Sequence, residues 1–170
     1  NLPFENPAEL LVVPDHYVFR MLYSQGVPLA RLGVGTPGKT ADPREVFRIF
    51  AQHWHLFLGT PSRTWIRYVL NETLSIKDAL SPETADKIYD DISDMIARDD
   101  HRPRALFDRF NIEVLATTDS ALDDLQHHAS IRASRWQGRI IPTFRPDSVL
   151  DPSDPGFVKN LDALAEITQT

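Results

Sequence analysis

Residues 111–119 read Asn111-Ile112-Glu113-Val114-Leu115-Ala116-Thr117-Thr118-Asp119, and residues 139–147 read Arg139-Ile140-Ile141-Pro142-Thr143-Phe144-Arg145-Pro146-Asp147. Each is a short apolar run rich in β-branched residues that closes on polar ones, the pattern of a strand ending in a turn. The first strand is expected over 112–116, running out into Thr117-Thr118-Asp119. The second is expected over 139–144, running out into Arg145-Pro146-Asp147. Helical patterns fill 121–133 and 156–168. Strand, helix, strand, helix predicts parallel strands joined by a crossover helix, hence an α/β fold. In such sheets functional groups gather just past the carboxyl ends of the strands. Thr118, Asp119 and Arg145 are therefore candidates by position.

Upstream of residue 111 the pattern is helical and the chain is helix-rich overall. Residues 1–13 read as a loop with a short helical turn, and 15–25 as a helix opened by Asp15 and stopped by Gly26. A Gly-, Pro- and Thr-rich connection covers 28–42. From Pro43, Val46, Phe50, Trp54 and Phe57 recur at spacings of three and four, which predicts one buried helical stripe. A short helix follows over 63–70. Ser81-Pro82-Glu83 reads as a capped helix start, with Ala85, Ile88, Ile92, Met95 and Ile96 on its buried face. Pro103 opens a last helix ending near Phe110. The domains are then 1–30, a loop and helix; 31–110, a helical subdomain; and 111–170, a βαβα segment.

With 170 residues, 42% hydrophobic and 25% charged, the composition is that of an ordinary globular protein. The net charge of -6 argues against a nucleic-acid partner, and no apolar run reaches the roughly 20 residues of a membrane helix. The absence of cysteine excludes disulfides and thiolate metal sites and suits the cytoplasm. The opening Asn1-Leu2-Pro3 is neither a signal peptide nor a start methionine, so the chain is expected to begin inside a longer protein or to have been processed.

Three clusters carry possible chemistry. Asp15-His16-Tyr17 at a helix start could do proton work through the imidazole and phenol, or could be a cap with two half-buried rings. Arg145 could clamp a carboxylate through its planar fork, or could pair with Asp147. Thr118 and Asp119 could face a site or cap the next helix. His53-Trp54-His55 falls inside a helical stripe, where residues two apart point to nearly opposite sides, so no metal chelate is expected there. His101, beside Asp99 and Asp100, is expected to be solvated, and His127 and His128 to lie at the surface or core edge.

The order of these pieces resembles uronate isomerase, a member of the amidohydrolase-like barrels. The matching residues are Pro3-Phe4-Glu5-Asn6, Asp15-His16-Tyr17 with Arg20-Met21 and Gly26-Val27, Asn111-Ile112-Glu113-Val114 with Ala116-Thr117-Thr118-Asp119, and Phe144-Arg145-Pro146-Asp147. Where relatives more often carry a glycine before the Asp, this chain has Val12-Val13-Pro14. The resemblance implies part of a (β/α)₈ TIM-type barrel, strands two and three, with a helical insertion. It implies aldose–ketose isomerisation of hexuronates, with His16 and Tyr17 lining the site and Arg145 holding the sugar acid. It implies a divalent metal, zinc, in the whole enzyme, with a His-x-His pair before Asn1 and further ligands after Thr170. No metal is expected in this chain. A barrel of roughly 250 residues cannot close with 170, so the chain alone is expected to be inactive and to self-associate through open barrel edges, or to belong to a homo-oligomer. The rival readings are a non-catalytic helical interaction module and a segment of another barrel hydrolase.

Overall fold

Local capping chemistry divides the first half of the chain into short helices. The computed structural model describes residues 1–35 and 41–169, and the chain falls into two compact units, Asn1–Leu106 and Phe107–Thr170. Helix α1, Pro7–Leu11, starts where the Asn6 side chain accepts from Glu9 N at 3.0 Å. Helix α2, His16–Ser24, is capped by Asp15. It ends where Gly26 N–H donates to Tyr23 O and Val27 N–H to Leu22 O, with Gly26 at φ 86°. That closure needs a left-handed residue, which glycine supplies without strain, and it brings buried Val27 back towards buried Leu22. A 3₁₀ turn, Leu29–Leu32, lies within the connection expected at 28–42, whose residues 36–40 lie outside the described residues.

Helix α3, Pro43–Gln52, begins at Asp42, which accepts from Arg44 N at 3.0 Å, and the chain continues as a 3₁₀ turn, Trp54–Phe57. The stripe predicted as one helix is thus broken at His53. Its residues are nonetheless all buried, because a 3₁₀ turn also returns every third residue to the same side. Helix α4, Pro61–Tyr68, capped by Thr60, runs into a π-helical turn, Val69–Thr73. Helix α5, Ala85–Ile96, starts later than Ser81-Pro82-Glu83 suggests. The Thr84 hydroxyl donates to Ala79 O at 2.7 Å and accepts from Ser81 N at 2.9 Å, which holds residues 82–84 as a turn. A 3₁₀ turn, Asp99–His101, precedes α6, Pro103–Arg109.

The core of this unit is aromatic. Phe47, Phe50 and Phe57 are fully buried, and Phe50 meets Phe47, Trp54 and Phe57 edge-on at centroid distances of 6.1, 5.3 and 5.6 Å, Trp54 and Phe57 being tilted against each other at 5.7 Å. Such pairs add about 0.5–1.5 kcal/mol each beyond the area they bury. Ile88, Ile92 and Ile96 of α5 close the same core as predicted, while Arg48 of α3 holds Asp86 of α5 by two hydrogen bonds of 2.9 and 3.1 Å.

In the second unit, β1, Leu115–Ser120, pairs in parallel with β2, Ile140–Arg145, in a register running from Leu115↔Ile140 to Ser120↔Arg145. The crossover is α7, Gln126–Ala133; α8, Asp147–Leu150, and α9, Phe157–Thr168, follow. The helix-rich α/β class and the parallel pairing are as expected. The limits of β1 are not. Thr117, Thr118 and Asp119 lie within the strand rather than beyond it, since the ladder begins only where Leu115 N reaches Arg139 O at 3.0 Å. Helix α7 also starts five residues late. The Asp123 and Asp124 carboxylates accept from Leu125 N and Gln126 N at 2.7 and 3.0 Å, and Leu125 takes φ 53°, which interrupts a helix from residue 121. Among the described residues no helix is long and apolar enough to cross a membrane.

Candidate active site

The Asp15 carboxylate accepts from Tyr17 N at 2.9 Å and Val18 N at 3.4 Å, so it is a true helix cap. Val18 and Leu22 turn into the core. At 100° per residue this leaves His16 and Tyr17 on the outer side of the first turn. Both rings are exposed, with centroids 4.1 Å apart and planes tilted by 35°. They border a cleft of about 460 Å³ between the α1–α2 connection and α4, walled by Leu10, Leu11, Pro14, Trp65 and Val69. An apolar wall with one imidazole and one phenol at its lip can hold a small polar molecule and exchange protons with it.

Arg145 ends β2, in the second unit, and so belongs to a different body of the chain from His16 and Tyr17. Its Nε donates to Asp147 Oδ2 at 2.9 Å, and Nη2 reaches Asp147 Oδ1 at 3.5 Å. The hydrogen bond from Arg145 holds the Asp147 carboxyl below the usual range and raises the guanidinium in return. The ion pair foreseen as the alternative to carboxylate binding is therefore made. It occupies only the Nε–Nη2 edge of the fork.

Sequence reasoning missed a half-buried polar network behind β1. The Thr117 hydroxyl donates to Asp119 Oδ2 at 2.7 Å and lies 2.8 Å from His128 Nε2; the His128 and Asp119 side chains are 8% and 13% exposed. A hydroxyl has one proton, so Thr117, having given it to Asp119, accepts from a protonated His128 Nε2. Asp119 thus faces α7 and caps no helix. The signal was present as Thr117-x-Asp119, two positions that share one face of a strand. Strand propensity hides it, because the apolar run ends at Ala116 and puts these residues beyond the expected strand.

Two histidine expectations are corrected. His101 is buried, its Nδ1 2.8 Å from Asp100 Oδ1 and its Nε2 3.2 Å from Thr73 O. The 3₁₀ turn at 99–101 rotates it inward. His53 and His55 do not point to opposite sides of a helix. With α3 ending at Gln52, their rings stack at 6.5 Å, and His53 Nδ1 lies 2.8 Å from Ile49 O. Among the described residues no three His, Asp or Glu side chains converge as a metal site.

The family profile described as glucuronate isomerase matches residues 1–170. The chain is 57% identical over 166 residues to the uronate isomerase of Rhizorhabdus wittichii, covering 98% of this chain and 35% of that protein. It is 53% identical over 169 residues to that of Rhizobium meliloti, covering 97% of this chain and 36% of that protein. The crystal structure of glucuronate isomerase from Caulobacter crescentus superposes on 99% of the chain at a TM-score of 0.94 and 46% identity, with 36% of that chain covered. Uronate isomerase from Thermotoga maritima gives 0.86 and 25% over 98% of this chain and 35% of its own. The chain spans about a third of the length of these relatives. The profile match over its whole length places it in the glucuronate isomerase family.

Proposed function

We propose that this chain supplies active-site residues of a uronate isomerase that interconverts glucuronate with fructuronate and galacturonate with tagaturonate. In this reading β1 and β2 are the second and third strands of a (β/α)₈ barrel, and residues 31–110 are a helical insertion. The observation that carries it is Arg145. It stands at the carboxyl end of a parallel strand, the end at which barrel enzymes bind substrate, and the guanidinium edge not taken by Asp147 suits a sugar carboxylate. Membership of the glucuronate isomerase family favours this reading over the helical interaction module and the segment of another barrel hydrolase.

Moving a carbonyl from C1 to C2 requires that the C2 proton leave, that an enediol form, and that a proton return to C1. Tyr17 is assigned the proton shuttle, His16 the orientation of substrate oxygens, and Arg145 the carboxylate. The divalent ion, zinc, falls to residues outside this segment, and no step assigned here runs through it. Further polypeptide, from the same chain or from a second copy in a homo-oligomer, covers the open sheet edges. The cysteine-free sequence suits the cytoplasm.

The test is conversion of both hexuronates to ketoses by the full-length enzyme and by the 170-residue segment. The full-length enzyme is expected to turn over and the segment not to. Tyr17→Phe keeps the ring and removes the hydroxyl, so turnover should fall about 10²–10⁴-fold with little change in thermal midpoint. Arg145→Lys should act chiefly on KM, because lysine keeps the charge and loses the fork. Near-native turnover by Tyr17→Phe on both substrates would remove the residue from the mechanism.

A further inference from the structure

The two faces of the β1–β2 sheet differ in a way that extends the proposed site. Strand residues alternate between faces, and paired residues of parallel strands share one. Thr117 and Asp119 are tied to His128 of α7. Ala116, Thr118 and Ser120 therefore lie on the opposite face, and the register adds Ile141, Thr143 and Arg145 beside them. Read towards the carboxyl ends, that face has three rungs: Ala116 with Ile141, Thr118 with Thr143, and Ser120 with Arg145. It passes from apolar to hydroxyl-bearing to charged within six residues.

A face destined only for packing would carry branched apolar residues throughout, as barrel interiors do. Valine has the shape and strand preference of threonine, so what distinguishes the middle rung is its pair of hydroxyls. Both threonines are exposed, and neither hydroxyl has a protein partner among the described residues, whereas the Ser120 hydroxyl accepts from Leu122 N at 3.3 Å. Enclosed by further polypeptide, an unpaired hydroxyl would be costly, so a ligand or water must meet it. The rung lies two strand residues below Arg145, roughly 6.6 Å along the strand, within the length of a sugar acid held at its carboxylate.

We propose that Thr118 and Thr143 form a hydroxyl rung that binds the secondary hydroxyls of the sugar acid whose carboxylate Arg145 holds. The assignment rests on the uronate isomerase reading and adds two residues that set which hydroxyl configurations are accepted.

The test uses the full-length enzyme with Thr118→Val, Thr143→Val and the corresponding serine variants, each checked by thermal melt. The valine variants should lose about tenfold in kcat/KM on a hexuronate, while serine, which keeps the hydroxyl, should stay near the unsubstituted value. Hexuronates deoxygenated at single ring carbons should show a loss of the same size on the unsubstituted enzyme at one position, and no further loss there on the valine variants. This series reads the rung even where a valine variant fails to fold. Two results overturn the proposal with the isomerase reading intact: valine variants within twofold of an active unsubstituted enzyme, or equal losses for valine and serine, which would mark packing alone. An unsubstituted enzyme inactive on every hexuronate overturns both readings together.

Discussion

The first unit buries a core and the second barely has one. Every residue of the buried hydrophobic cluster, from Ala8 to Ile96, lies within 1–106. In the second unit the buried apolar residues are Phe107 and Val149, five of the six residues of β2 are exposed, and α9 buries none. A helical body can satisfy itself with short capped helices wrapped around aromatic rings. A parallel sheet is stable only with both faces covered, and two strands cannot cover themselves. The difference teaches that these halves answer to different requirements: the helical one to contacts it already has, the sheet to contacts the rest of a larger protein would provide.

The sharpest way to break this contrast is to remove one ring from each half. Phe50→Ala empties the centre of four packed aromatic side chains and should cost about 3–5 kcal/mol in the isolated chain by denaturant melt. Phe144→Ala, at a position 64% exposed, should stay within about 0.5 kcal/mol there and cost more in the full-length enzyme. Equal costs for the two substitutions in the isolated chain would erase the distinction.

A second consequence concerns association. Phe144, Leu150, Val158 and Ile167 are all exposed in the second unit, and its two-stranded sheet has an unpaired outer edge on each strand. The isolated chain should therefore associate with rising concentration, and a segment ending at residue 106 should do so less. Light scattering that finds both monodisperse at the same high concentration would contradict this.

The smallest expected effect is electrostatic. Hydrogen bonds from Arg48, and then Arg44, hold the Asp86 carboxyl below its ordinary value, and they link α3 to α5. A depressed folded-state pKa gives stability that is present above the unfolded value of about 3.9 and lost as pH falls through the folded value. Asp86→Asn should therefore make acid unfolding of the helical unit less steep below about pH 4. Asp147 is likewise depressed, yet its partner Arg145 is only two residues away. A pair so local survives partly in the unfolded chain, so Asp147→Asn should leave the acid transition almost unchanged. Circular dichroism against pH reads both.

What the sequence disclosed follows the same division. The stripe Val46, Phe50, Trp54, Phe57 and the α5 face were legible because burial within helices is a matter of local period. The break at His53 was not, since α- and 3₁₀-turns both bring back the third residue. The start of β1 was misplaced because Ile112 and Val114 have the right propensity but β2 is paired only from Ile140 onwards. The burial of His101 depends on Thr73, 28 residues distant, and the polar network of Thr117 on a helix that had been placed too early. At the candidate site, the capping role of Asp15 and the pairing of Arg145 with Asp147 were both readable at a distance of two residues. No local pattern showed Trp65 beside His16 and Tyr17.

The most direct test is amide hydrogen exchange on the isolated chain and on the full-length enzyme under the same conditions. Our account predicts that α3 and α5 are protected to a similar degree in both, while amides of β1 and β2 exchange far faster in the isolated chain and become protected in the full-length enzyme. Strong and equal protection of β1 and β2 in both proteins would show that the two strands complete their own structure, and would contradict the account.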